Sequence, residues 1–206
     1  MTEPRPAKRK RAKEGQEETQ STSRHDLENF ARFADVTFIL QDEIRVCVNS
    51  VIMKTASPVF AAMLDPHFKK GHALTQAKNV PVEIALPKDD AGAFGHICQV
   101  LHCQADTTLL EPNPDMLLKI WILIQKYDLK KAIKLSIEHW VRRQLELRLE
   151  LEDLWLLALF CFQFEEATAF QYVTQQLMLS ANLPFVKLAT KLEERTKGFV
   201  WASWRR

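Results

Sequence analysis

The sequence predicts an α+β fold, a small sheet flanked by helices, that continues into an all-helical C-terminal part. Two observations lead to this prediction. Segments of alternating polarity, rich in β-branched and aromatic residues, occur at 35–40, 44–48 and 82–86. Helical periodicity with capping and Pro start signals fills the chain between them and continues alone after residue 151. No apolar run reaches the length of a bilayer span, so we expect no membrane segment.

The N-terminal residues 1–23 are predicted to be a disordered basic tail, because they offer too little apolar surface to offset the entropy of ordering. Residues 1–24 carry seven basic and four acidic side chains, a net charge of +3, while the other 21 basic and 22 acidic side chains sum to −1. Four consecutive basic residues, Lys8, Arg9, Lys10 and Arg11, are a candidate nuclear import signal. The alternatives are contact with nucleic-acid phosphates and a merely solvated tail.

The first ordered element is predicted to be a helix that begins near Ser23, a good N-cap, with Asp26 as its third residue. Leu27, Phe30 and Phe33 then recur every three residues, which gives this helix one apolar face.

The strands are expected to form a mainly three-stranded sheet. Apolar residues alternate along "DVTFIL" (35–40) and "IRVCV" (44–48), and the short turn "QDE" between them indicates a hairpin. The segment "VEIAL" (82–86) is the third predicted strand.

The predicted helices are bounded by local start signals. Ser57-Pro58 divides "NSVIMKTASPVFAAML" into two short helices, and Asp90 and Asn113 are expected to cap the helices that follow them. The stretch "LELRLEL" (145–151) stays open, because its period of two favours a strand while Leu, Glu and Arg favour a helix. Further helices are predicted in "KKAIKLSIEHWVRR", "EDLWLLALFCFQF", "EEATAFQYVTQQLML" and "PFVKLATKLEERTK".

Catalytic and metal-binding patterns are weak in this sequence. It contains no Gly-rich phosphate loop, nucleophile elbow or metalloprotease helix, so we predict that the protein is not an enzyme and needs no cofactor. The nearest approach to a metal site is His96, Cys98, His102 and Cys103, which do not converge on one helix face. The four cysteines are expected to be reduced and packed in the core.

The stretch "ADVTFILQDEIRVCVNSVIMKTASPVFAAML" resembles the BTB/POZ family, with Asp35-Val36 and Ser57-Pro58-Val59-Phe60 at matching positions. "VEIALPKDDAGAFGHICQVLH" is similar to that family's third strand, turn and next helix, and Lys126-Tyr127 resembles the end of a later helix. The chain departs from the family at Asn49 and Met53, where His and Leu are common. The resemblance implies a BTB/POZ domain at 24–143 and a helical C-terminal extension at 144–206, of a kind found in filamentous fungi.

What the resemblance implies is a non-catalytic protein–protein interaction module that often forms homodimers through the helix before the first strand. Leu27, Phe30 and Phe33 are therefore the candidate dimer interface. The alternative is that these three side chains cover the chain's own hairpin.

The family's other role is that of substrate adaptor for a cullin-type ubiquitin ligase, often through an apolar-x-Glu motif. In "LDPHFKKGHAL", Phe68 takes the apolar position, Lys69 the free position and Lys70 the place of the acid. Because a reversed charge turns attraction into repulsion, Lys70 argues against cullin binding. Phe68, Lys69 and Lys70 form a candidate partner-docking loop. The alternative is a loop tip whose lysines keep Phe68 in solution.

We therefore expect a homodimerising scaffold or adaptor with an unknown protein partner, and the cullin adaptor is the alternative. The basic cluster lacks the apolar stretch of a secretory signal, which favours a nuclear or cytoplasmic location. Sequence-specific nucleic-acid binding is not expected, because zinc-finger spacing and interleaved aromatic and basic residues are missing.

Overall fold

The computed structural model describes residues 27–77, 80–104, 111–180 and 185–203. The predicted basic tail, including Lys8, Arg9, Lys10 and Arg11, lies outside the described residues. Within them the fold is α+β, as predicted: a small sheet flanked by helices, followed by further helices. The helices are α1 Ser50–Ala56, α2 Pro58–Met63, α3 Lys69–Gln76, α4 Ala91–Leu101, α5 Pro114–Tyr127, α6 Lys134–Leu145, α7 Leu151–Phe164, α8 Ala167–Ser180 and α9 Phe185–Ser203.

The sheet has four strands in the described part of the chain, in the order β1-β3-β2-β4. The central pair is antiparallel, as expected for the hairpin, and Phe38 lies opposite Val46. The two outer strands are each parallel to their neighbour. The strands are β1 Leu27–Asn29, β2 Val36–Ile39, β3 Arg45–Val48 and β4 Val82–Ala85.

The predicted first helix is wrong where the structure describes it, because Leu27–Asn29 forms strand β1. Its backbone pairs in parallel with β3, and the Phe30 N–H continues the ladder by donating to the Cys47 carbonyl at 3.0 Å. The side chain of Asn29 then accepts from the Ala31 N–H at 3.1 Å, which turns the chain away from the sheet. The spacing of three residues between Leu27, Phe30 and Phe33 therefore comes from a strand followed by a turn and not from a helix.

The helix starts follow the predicted signals. Ser57 caps α2 through the Phe60 N–H, Asp90 caps α4 through Ala93, and Asn113 caps α5 through Met116. These local contacts explain why the helix boundaries could be located from sequence alone.

The stretch 145–151 is neither strand nor continuous helix. Helix α6 ends at Leu145, and the N–H groups of Glu146 and Leu147 donate back to the carbonyls of Arg143 and Gln144 in a closing turn. Glu150 then takes the N-cap position of α7. Among the described residues no strand lies beside this segment to pair with it. The segment is therefore a loop, in which Leu145, Leu149 and Leu151 are partly buried.

One cluster of buried apolar side chains extends from the sheet into the C-terminal helices. Helix α7 packs against both α5 and α8, and its Leu156, Leu157 and Phe160 are fully buried in that cluster. The core therefore crosses the predicted boundary at residue 143, although the division into 24–143 and 144–206 stays a prediction.

The centre of the core is a group of four aromatic rings. Phe60 of α2 stacks on Tyr127 of α5 with ring centroids 4.3 Å apart. Phe94 of α4 meets Phe38 of β2 edge to face at 5.4 Å. These rings pack the sheet against three helices. Aromatic pairs of this kind stabilise the fold beyond the burial of their apolar surface.

A buried carboxyl group ties this aromatic centre to the sheet. Asp89 is 2% exposed, and its two oxygens accept hydrogen bonds from the Tyr127 hydroxyl and the Lys126 ammonium. The Asp89 carbonyl also accepts from the Gln41 N–H beside the hairpin turn, at 3.2 Å. Burial and the bond to Asp89 both raise the pKa of Tyr127 far above its usual value, so the phenol remains a donor.

We expect Tyr127→Phe to lower the free energy of unfolding by about 1–3 kcal/mol, because it leaves one oxygen of a buried carboxyl group without its donor. Urea denaturation would measure the loss. Tyr172→Phe is the matched control, since Tyr172 is the chain's other tyrosine and is 47% exposed. Equal stability of the two variants would contradict the role assigned to the Asp89 contact.

Candidate protein-interaction surfaces

An apolar groove with a basic edge lies where α2 meets α3. It has a volume of about 460 Å³ and is lined by Ala62, Met63, Phe68, Lys69 and Lys70. The sequence had predicted a docking loop at the last three of these residues. That local prediction needs correction: Phe68 is the N-cap of α3, and Lys69 and Lys70 form its first turn. The helix begins here because the Phe68 carbonyl accepts from the His72 N–H at 2.8 Å.

Gly71 holds α3 against the end of α2. It is buried, and a Cβ atom at this position would lie 2.0 Å from the carbonyl oxygen of Asp65, far inside van der Waals contact. Only glycine therefore allows the first turn of α3 to approach the backbone of Leu64 and Asp65 so closely. This contact explains the glycine of "FKKG" and fixes Phe68 beside Met63.

The edge of the groove carries uncompensated positive charge. Lys69 and Lys70 are exposed, and within the described residues neither forms an ion pair. Both stand in the first turn of α3, which contains no acidic residue and whose free N–H groups are already partly positive. The nearby Asp65 is engaged by His67, whose backbone and ring hydrogen bonds lower the pKa of that carboxyl.

Phe68 itself is 59% exposed at the mouth of the groove. A large exposed aromatic beside apolar walls and two cations is a surface suited to a ligand with apolar and acidic groups. The arrangement brings together all three residues of the predicted docking segment.

The candidate dimer residues are not brought together on one exposed face. Phe30 is 6% exposed and belongs to the core, whereas Phe33 is 77% exposed with the Arg32 guanidinium 5.6 Å from its ring centroid. Leu27 contributes its backbone to β1, and its side chain lies outside the described residues. Of these three candidate residues, Phe33 is the one whose described side chain is exposed.

Asn49 anchors the backbone behind Phe33. Its side-chain N–H donates to the Phe33 carbonyl at 3.1 Å, and its side-chain oxygen caps α1 by accepting from Val51 and Ile52. Asn49 therefore links the carbonyl of Phe33 to the start of α1, where Val51 is 62% exposed.

Asp35 and His102 reinforce the same corner, and sequence reasoning did not single out their roles there. Both oxygens of Asp35 accept from Ser50, one from its N–H and one from its hydroxyl, each at 2.6 Å. The Nε2 atom of His102 accepts from the Asn49 N–H at 3.1 Å, while its Nδ1 lies 3.0 Å from the Cys98 carbonyl. Asn49 and His102 are 53 residues apart, so no local sequence signal could show that they form a hydrogen bond.

His102 is consequently neutral in this arrangement, since Nδ1 donates and Nε2 must accept. Burial lowers the pKa of His102 below 6.5, partly opposed by its hydrogen bond to the Cys98 carbonyl. Burial also lowers the pKa of His96. A histidine whose folded pKa is below its unfolded value binds more protons when unfolded, so stability falls as pH drops below about 6.5.

We expect His102→Gln to flatten this decline of unfolding free energy, measured by urea denaturation from about pH 5 to pH 8, by up to ~1.4 kcal/mol per pH unit. Part of the slope remains, because His96 acts in the same direction. His139→Gln, which makes the same change at an exposed histidine, is the control for the substitution itself. An unaltered slope in His102→Gln would show that this imidazole is not held neutral by Asn49 and Cys98.

The four residues considered as metal ligands have different surroundings, and the buried Nδ1 atom of His96 has no hydrogen-bond partner among the described residues. His102 uses both ring nitrogens as described, Cys98 is fully buried, and Cys103 is exposed. The expectation that all four cysteines pack in the core is thus wrong for Cys103. Among the described residues, no three metal-binding side chains cluster together.

Comparison with known proteins does not assign this chain to a family. No family model matched the chain, and a search of curated proteins found no match. None of the described helices combines the length and apolar character needed to cross a bilayer.

Proposed function

We propose that this chain is a non-catalytic protein–protein interaction module of the BTB/POZ type, acting as a scaffold or adaptor in the nucleus or cytoplasm. The observation that carries the proposal is the groove at Phe68, where an exposed aromatic ring and two lysines, neither ion-paired among the described residues, adjoin apolar walls. The order of elements supports it: a strand, a hairpin, three short helices, a strand and then helices, over the residues that resemble the family.

The occupant that fits this groove is a segment of another protein that combines acidic with large apolar residues. Apolar side chains would pack beside Phe68 and Met63, and carboxylates would approach the first turn of α3. Such carboxylates gain from Lys69 and Lys70 and from the partly positive helix terminus. A basic partner would meet repulsion from the same groups.

We expect a displayed peptide library, panned on the full chain and counter-selected on Lys69→Glu/Lys70→Glu, to yield peptides that combine Asp or Glu with Leu or Phe. An enriched synthetic peptide should bind at least about tenfold more weakly to that double variant, and binding should weaken with salt. Fluorescence anisotropy would measure both effects.

Two controls separate the groove from bulk charge. Lys131→Glu/Lys187→Glu makes the same change in net charge on other exposed lysines and should bind as the wild type does. Phe68→Ser should abolish binding by removing the apolar contact. Enrichment of basic peptides, or equal binding by the two double variants, would overturn this assignment of the groove.

The cullin alternative is tested by the same residues. With a cullin N-terminal domain as the probe, we expect no measurable binding by the wild type and a gain in Lys70→Glu, where the acid of the family motif is restored. Tight binding by the wild type would instead favour the ubiquitin-ligase adaptor.

Self-association is the second part of the proposed function, and Phe33 supports it. Strand β1 pairs with β3 on one side, and in the described part of the chain no strand covers its other edge. An uncovered strand edge next to an exposed aromatic is a surface that a second copy can pair with.

We expect light scattering of the full chain to show a mass that rises from monomer to dimer with concentration. Phe33→Ser should shift this transition to at least about tenfold higher concentration, because it removes an apolar contact from the interface. Phe68→Ser, which removes an exposed phenylalanine elsewhere, should leave it unchanged. A monomer at all concentrations, or equal effects of the two variants, would contradict the homodimer.

A further inference from the structure

The turn between β1 and β2, which carries the exposed Phe33, is held from two sides by the end of helix α4. Directly after that helix, the side-chain amide of Gln104 donates to the Phe30 carbonyl at 2.7 Å. The Phe33 carbonyl is held indirectly, because it accepts from the Asn49 side chain and the Asn49 N–H in turn donates to His102. This last contact is the one that a proton removes.

The contacts of His102 require a neutral imidazole. Its Nδ1 lies 3.0 Å from the Cys98 carbonyl and donates to it, so Nε2 accepts from the Asn49 N–H, 3.1 Å away. An imidazolium carries hydrogen on both nitrogens, and its Nε2–H would face the N–H of Asn49. Two donors cannot share a hydrogen bond, so the backbone at Asn49 has to move away from a charged His102.

The Phe33 carbonyl depends on Asn49 more than the start of α1 does. The first residue of α1, Ser50, keeps two bonds of its own, since its N–H and its hydroxyl both donate to Asp35 at 2.6 Å. Among the described residues, by contrast, the Phe33 carbonyl has no donor other than the Asn49 side chain, at 3.1 Å. A shift of Asn49 therefore releases the turn that carries Phe33.

Burial, and not a neighbouring charge, controls the protonation of His102. Burial lowers its pKa, and the hydrogen bond to the Cys98 carbonyl partly opposes this effect. The Cys98 thiol stays neutral, because burial and the charge of Glu28 raise its pKa. Within the described residues His102 forms no ion pair. The charged groups on the segments next to α4 are Glu28 on β1, Arg32 and Asp35 before β2, Lys54 on α1, and Asp115 and Lys119 on α5.

We propose that His102 makes self-association sensitive to pH, because its neutral form lets Asn49 hold the turn of Phe33 and its charged form releases that turn. The inference rests on the homodimer proposed above. A dimer that uses the held Phe33 needs the neutral imidazole and so binds fewer protons than the free monomer does. Self-association is therefore strongest above about pH 6.5 and is lost as the pH falls below it.

The test is light scattering of the full chain over a range of concentrations, in a neutral buffer near about pH 7.5 and an acidic one near about pH 5.5. We expect the monomer–dimer transition to move to at least about tenfold higher concentration in the acidic buffer, since one proton bound per protomer changes the equilibrium by up to about tenfold per pH unit. Circular dichroism in both buffers checks that the chain stays folded.

His102→Gln is the decisive variant, because its side-chain oxygen takes the place of Nε2 as acceptor and does not titrate. It should associate in the neutral buffer as the wild type does and keep that affinity in the acidic one. His139→Gln, which makes the same change at an exposed histidine, should still dissociate in the acidic buffer.

Asn49→Ser tests the link to Phe33 separately. Serine keeps an N-cap for α1 and the backbone N–H that reaches His102, but it lacks the amide that donates to the Phe33 carbonyl. The variant should therefore associate about three- to tenfold more weakly in the neutral buffer, the effect of one hydrogen bond, and show no further loss in the acidic one.

The outcomes separate the pH effect from the homodimer. A dimer that persists unchanged in the acidic buffer, or a His102→Gln variant that dissociates there like the wild type, would overturn the pH effect and leave the homodimer in place. A wild type that is monomeric in the neutral buffer would overturn both. Loss of the folded circular-dichroism spectrum together with dissociation would show global unfolding, which also overturns a local role for His102.

Discussion

The contact on which the rest of the structure depends is the one between Asp89 and the end of α5. A carboxyl group that is almost fully buried is costly unless donors reach it, and here the Tyr127 hydroxyl and the Lys126 ammonium both do. Because Asp89 stands in the turn between β4 and α4, these bonds fix α5 relative to the sheet. The same tyrosine stacks on Phe60, so one residue joins the polar contact to the aromatic centre.

The groove at Phe68 is supported from this centre. Ser57 donates its hydroxyl hydrogen to the Tyr127 carbonyl, which locks the start of α2, and the far end of α2 forms one wall of the groove. Gly71 then sets α3 directly against that end. The close approach at Gly71 thus sets the start of α3, with the exposed Phe68, beside the end of α2.

The functional groups of the molecule differ in how visible they are in the sequence. Phe68 and its two lysines are adjacent in the chain, so the sequence alone could identify them as a unit. The hydrogen bond between Asn49 and His102 could not be found that way, because the two residues lie 53 positions apart and packing brings them together. The alternating leucines of 145–151 suggested regular structure, yet the segment between α6 and α7 is a loop.

By itself, the sequence determined the α+β class, the hairpin and the helix starts at Ser57, Asp90 and Asn113. Those features depend on contacts within a few residues, and local chemistry is what a sequence pattern records. The tertiary structure decided that Leu27–Asn29 is a strand and that Phe30 is core. Pairing with β3 supplies backbone hydrogen bonds from a distant part of the chain, and these outweigh a weak local preference for helix.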